Sequence, residues 1–83
     1  MEVKLFYRTQ RDLALGLNKI IDAYWNEEIK ETELIEGVNN IYANNLEKMM
    51  KDNQFTKIVQ QQSGKRRLAV VERILHMNEK NIV

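Results

Sequence analysis

Cysteine is absent from this 83-residue chain, so neither a disulfide nor a thiolate metal site can form. Small secreted domains depend on such cross-links, which makes a reducing cytoplasm the expected location. Proline is absent too, and its absence favours uninterrupted helices over tight loops. His76 is the single histidine. It cannot supply a multi-histidine metal site, and no Ser-His-Asp arrangement is legible around it. It is expected at the surface or half-buried. No apolar run is long enough for a signal peptide or a bilayer span, so no membrane association is expected. Neither G-x-G-x-x-G nor G-x-x-x-x-G-K-[ST] occurs. Ser63-Gly64-Lys65 lacks the first glycine of a phosphate loop and the strand that would precede it. Glutamates are plentiful, but glutamate-rich helix faces are ordinarily solvated, not paired for acid–base work. The expectation is therefore a non-enzymatic chain with no cofactor, no metal and no small-molecule substrate.

What is present is the composition of a folded domain: 43% hydrophobic and 30% charged residues. A chain this short has room for one domain, residues 1–83, and buries only about 60% of the surface its unfolded form exposes. A partner or a second copy then matters for stability. Net charge is only +1, but it is unevenly spread. Across residues 26–50, six glutamates against two lysines leave −4, and across 51–83, seven bases against three acids leave +4. Such asymmetry steers an anionic partner to one end, or lets the two ends attract each other within or between copies.

Hydrophobic spacing predicts an all-α fold, a small bundle of three or four helices with a short N-terminal arm. Residues 2–8 alternate, with Val3, Leu5 and Tyr7 on one side. They form either an extended arm packed on the helices or an early start to the first helix. Thr9 is the expected cap of helix 1, over residues 10–27, whose stripe is Leu13, Leu17, Ile20, Ile21 and Tyr24. Arg11, Asn18, Lys19 and Asp22 lie away from that stripe. Thr32 is the expected cap of helix 2, over residues 33–51, with Leu34, Val38, Ile41, Tyr42 and Leu46 as its stripe, widened by Ile35, Met49 and Met50. A short break between the two helices implies an antiparallel hairpin. Asp52-Asn53-Gln54 reads as a turn, with Phe55 anchoring it to the core. Thr56 caps a short helix carrying Ile58 and Val59. Ser63-Gly64 is a junction in which Ser63 caps a last helix over 64–78, with the stripe Leu68, Val71, Ile74 and Leu75. The tail, 79–83, is expected to fray.

The main functional lead is the start of that last helix. Lys65, Arg66 and Arg67 put three cations where the helix dipole disfavours them, at about 0.3–1 kcal/mol each when exposed. With the free N–H groups of a helix start, Ser63, Gly64, Lys65, Arg66 and Arg67, joined by Lys57 and Arg73, make a candidate anion or nucleic-acid site. The rival reading pairs the arginines with the acidic surface of helix 2, within the chain or across a dimer. A helix-turn-helix fits less well, because Lys65 follows the glycine where an apolar residue packs better and the charge is near neutral. Trp25, Met49 and Met50 are candidate protein contacts. Tyr24 and Tyr42 are better explained as core edges between the two helices.

The segment from Gln61 through Ser63-Gly64-Lys65-Arg66-Arg67 to Leu75 resembles the C-terminal signature of a family of small uncharacterised proteins of Firmicutes and their prophages. Lys4 to Gln10, Tyr24-Trp25 and Ile41-Tyr42 are similar as well. The resemblance spans most of the chain and implies a bacterial or phage cytoplasmic protein. It brings no activity, cofactor or site residue. The function expected is a protein-interaction or regulatory module working through helix faces, as a homodimer or with another protein. The alternative is a small nucleic-acid-binding protein using the basic start of the last helix.

Overall fold

The computed structural model describes residues 4–80, with side chains as far as Met77. Four helices and one minimal hairpin follow in order: α1 (Gln10–Trp25), α2 (Glu31–Asn44), α3 (Leu46–Met49), β1 (Met50–Lys51), β2 (Gln54–Phe55) and α4 (Lys57–Lys80). The fold is a small all-α bundle. α1 is its centre, packed against α2, α3 and, most extensively, α4. Ten of the fourteen residues of the three main stripes, from Leu13 to Ile74, fall in one buried cluster, joined by Tyr7, Ile29, Met49 and Val59. Tyr24, Tyr42 and Phe55 pack on its edge.

Helix α1 starts as its sequence predicts. Thr9 is extended, and its Oγ1 accepts from the Asp12 N–H at 3.0 Å. It ends at Trp25, two residues short of the expected limit. Glu28 N–H donates to Ala23 C=O and Glu27 N–H to Tyr24 C=O, with Glu27 at φ 60°. That is a Schellman closure with a glutamate in the left-handed position glycine usually takes. Helix α2 starts earlier than predicted. Lys30, not Thr32, is the cap residue, because the Glu33 carboxylate reaches back to accept from Lys30 N–H at 3.3 Å. Ile29 and Leu34 are both buried on either side of this start, at the positions of a hydrophobic staple.

The larger departure is at the far end of α2. The helix stops at Asn44 instead of running to residue 51. Asn45 takes φ −137°, ψ 31°, and one further turn, α3, follows. The break re-aims the stripe: Leu46, expected inside, is exposed, and Met49, expected at a protein contact, is fully buried. Met49 therefore belongs to the core. Met50 pairs with Phe55 in the hairpin, whose two-residue loop is Asp52-Asn53 at φ 52° and 66°. Both loop residues tolerate that left-handed geometry, which matches the twist of a tight hairpin. Thr56 caps α4 as predicted, accepting from Val59 N–H at 3.4 Å. Only Val59 of the expected pair turns inward; Ile58 is exposed.

The N-terminal arm is extended and packed on the helices, without strand pairing. Its alternation is not the expected one: Leu5 and Phe6 are exposed, and Tyr7 alone is buried. Val3 and the tail beyond Lys80 lie outside the described residues. The Tyr7 ring lies against Gly16, where a Cβ would overlap it, so a glycine in mid-helix is required by close approach. Burial pushes the Tyr7 phenol above its ordinary value of 10.0. A raised folded value means the contribution is intact below pH 10 and lost as pH rises through the folded value. Stability should thus fall in the alkaline range more steeply in the parent chain than in Tyr7→Phe, measured by urea unfolding between neutral and strongly alkaline pH. Parallel curves would show that Tyr7 stays solvated.

Candidate functional site

Within α4 a single residue departs from helical geometry: Gly64, at φ 80°, ψ 166°. This region of conformational space is essentially restricted to glycine. No atom lies within 4 Å of where a Cβ would project, so backbone conformation and not crowding dictates the residue. Two helical segments meet at this one position, without the three- or four-residue turn that separates the helices of a helix-turn-helix.

A stripe of α1 clasps the kink. Asn18, Asp22 and Trp25, spaced at i, i+4 and i+7, face α4 together. Asn18 Nδ2 donates to the Gln62 carbonyl at 2.9 Å. Arg67 grips Asp22 with both ends of its fork, Nε to Oδ1 at 3.0 Å and Nη2 to Oδ2 at 2.9 Å. Its Nη1 donates to the Ser63 carbonyl at 3.2 Å. The hydrogen bond to Asp22 pushes the guanidinium pKa upward. Arg66 sits 5.6 Å from the Trp25 ring centroid, in cation–π range. Ser63 is buried, and its hydroxyl donates to the Ala14 carbonyl at 3.5 Å. It ties α4 to α1 in place of the capping role its sequence suggested.

The seven residues expected around an anion are thus divided among three surfaces. Ser63 and Arg67 turn toward α1. Arg67 takes its acidic partner from α1 and not from the acidic face of α2. Arg66 and Arg73, seven residues apart, are exposed on the outer side of the second segment. Lys57, Gly64 and Lys65 border a groove of about 590 Å³ whose floor includes Phe55, Leu68 and Ala69. An adjoining depression of about 550 Å³ shares Phe55, Gln60 and Glu72 with it and continues to Tyr42, Leu75 and His76. The two form one trough along α4, bounded by the hairpin. Sequence reading missed this trough because the hairpin that walls it was not predicted. It also missed Asp22 as the partner of Arg67, although Asn18, Asp22 and Trp25 form a legible second helical stripe.

A third concavity is smaller. About 240 Å³ in volume, it lies between the arm, α1 and α2, with Leu5, Ile20 and Ile29 as apolar walls and Glu33, Glu36 and Asn40 on the polar side. Among the described residues no group of three or more His, Cys, Asp or Glu is placed to hold a metal ion. No described helix is long and apolar enough to cross a membrane.

No curated protein and no solved structure matches the chain. The arm, the clasp and nearly all of the kinked helix fall within residues 4–76, the span matched by one family model, and the chain belongs to that family, CLB_0814_fam, described as conserved hypothetical protein.

Proposed function

We propose that this chain is a non-enzymatic protein-interaction module of a bacterial or phage cytoplasm, which holds a helical segment of a partner protein in the trough along α4. The observation that carries the reading is the trough itself. Its floor includes the apolar side chains of Phe55, Leu68 and Ala69 at the edge of the buried core, and it is open along its length and extends from Lys57 at one end to His76 at the other. An elongated, open shape suits an amphipathic helix laid into a groove better than it suits an enclosed small ligand. The cysteine-free composition supports the reducing compartment.

Ala69 is exposed on the trough floor, so Ala69→Trp fills the trough without replacing a core side chain. The expected result is an unchanged far-UV spectrum and melting temperature, with partner affinity reduced at least tenfold. A photo-crosslinking side chain at Gln61 should trap the partner in the host cell, and Ala69→Trp should abolish that adduct. Absence of any protein adduct at Gln61 would remove the reading. The nucleic-acid alternative predicts a different outcome: affinity for arbitrary DNA falling linearly with log salt, with a slope of about −0.9 per neutralised phosphate, flattened by Lys57→Gln/Lys65→Gln.

A further inference from the structure

The charge asymmetry of the sequence becomes a spatial one. The clasp residues Asn18, Asp22 and Trp25 turn one side of α1 toward the basic second segment of α4. Ile20, which walls the small acidic pocket, comes two positions after Asn18 and so projects about 200° round the axis at 3.6 residues per turn. The basic surface and the acidic pocket therefore lie on opposite flanks of α1. They do not neutralise each other. Among the described residues, no lysine or arginine of 51–77 is ion-paired with an acid of 26–50, and the acid that Arg67 grips is Asp22. Each flank is left with charge that has no counterpart inside the described chain.

We infer that copies of this chain associate head to tail, with the Arg66–Arg73 face of α4 in one copy seated on the acidic pocket beside α2 in the next. The fit is chemical as well as electrostatic. At about 240 Å³ the pocket is below the range of about 300–1,000 Å³ used by small molecules, and near the scale of one long side chain. An arginine is amphipathic in the matching sense. Its methylene stem lies along apolar walls such as Leu5, Ile20 and Ile29, while its guanidinium meets Glu33 and Glu36. Arg66 carries an aromatic neighbour: Trp25, at 43% exposure, is laid open beside it. Tryptophan and arginine dominate the energetics of protein interfaces. A nucleic acid is the poorer occupant for the basic flank, because net charge is only +1 and the other flank repels phosphate. Because the two surfaces differ and face apart, the contact is heterologous, and each copy offers one free donor face and one free acceptor face. This association uses neither the trough floor nor its partner, so it stands or falls independently of the proposed function.

The test is complementation. In sedimentation at low ionic strength the average mass of the parent chain should rise with concentration beyond a dimer. It should return to one chain at high salt, as the screening length falls from about 30 Å at 0.01 M to about 3 Å at 1 M. Arg66→Gln/Arg73→Gln keeps the pocket and loses the donor face. Glu33→Gln/Glu36→Gln keeps the donor face and loses the pocket, and the amide oxygen it places at position 33 can still accept the cap hydrogen bond from Lys30 N–H. Each double variant alone should be monomeric with a native far-UV spectrum, its self-affinity reduced at least tenfold. Mixed, the two should form a one-to-one dimer and nothing larger, because one working contact remains and both outer ends are dead. A parent chain that stays monomeric at every concentration overturns the inference. So do variants that associate as the parent does, or a mixture that forms no dimer. Salt-dependent DNA binding lost in Arg66→Gln/Arg73→Gln, with a monomeric parent, would overturn it in favour of a nucleic-acid face.

Discussion

Ile41→Ala should lower the stability of this domain by about 2–5 kcal/mol, the range for removing a large side chain from a fully packed site. Ile41 has no exposed surface and sits where the buried face of α2 meets the central helix. Leu34, Val38, Leu17 and Ile21 belong to the same cluster, and all are nearly inaccessible. Small domains sit at the lower end of the usual stability of about 5–15 kcal/mol, so a loss of this size removes much of the margin. Urea unfolding followed by far-UV signal reads the effect directly, and Ile41→Val should cost only about 0.5–1.5 kcal/mol in the same assay. Equal midpoints for parent and Ile41→Ala would mean that α2 is not part of the cooperative core.

The stripes that place Ile41 are legible because helical burial follows a period that sequence carries directly. Leu13, Leu17, Ile20 and Ile21 on α1, and Leu68, Val71 and Ile74 on α4, repeat at the spacing of a single buried face, and each is buried. The caps Thr9 and Thr56 are legible for the same reason: their side-chain oxygens act on the chain's own next turn. What escapes is decided at a distance. The apolar pattern of α2 runs on through Leu46, Met49 and Met50, and nothing local says that it must stop. It stops because Asn45 is claimed by the N-terminal arm, thirty-eight and forty residues away in sequence. The hairpin at 50–55 is two residues per strand, too short for alternation to show. The cations after Gly64 read as a site from their violation of dipole preference. Part of that violation is compensated within the chain, since Arg67 is occupied by Asp22 and the Ser63 carbonyl. The same two contacts hold the backbone where Gly64 bends it. Arg66 and Arg73 are the cations left facing outward beyond the trough, so the outward charge of α4 belongs to them and not to the helix start as a whole.

Asn45→Ala should destabilise the chain by about 2–4 kcal/mol, although it deletes no apolar group. Asn45 is 4% exposed, and both ends of its amide are engaged. Its Oδ1 accepts from the Tyr7 N–H at 3.1 Å, and its Nδ2 donates to the Leu5 carbonyl at 2.6 Å and the Ile41 carbonyl at 2.9 Å. The main-chain N–H of Asn45 is turned to the Tyr42 carbonyl instead, at 3.3 Å, so the side chain serves Ile41 where the helix ladder no longer does. Alanine leaves the Tyr7 N–H and the Ile41 carbonyl in a site that water does not reach, at about 1–3 kcal/mol for each unsatisfied buried group. The consequence is local as well as global. Freed from Asn45, the arm loses the bond that seats Tyr7 over Gly16, and the wall that Leu5 gives the acidic pocket loosens with it. Native-state hydrogen exchange separates this from a general weakening. The Tyr7 amide should lose its protection in Asn45→Ala while amides in the middle of α1 exchange only as fast as global unfolding allows. Head-to-tail association should weaken too, in a variant whose charges are untouched. Retained protection at Tyr7 would show that the arm is held by the burial of its ring alone, and that Asn45 ends α2 without tying anything to it.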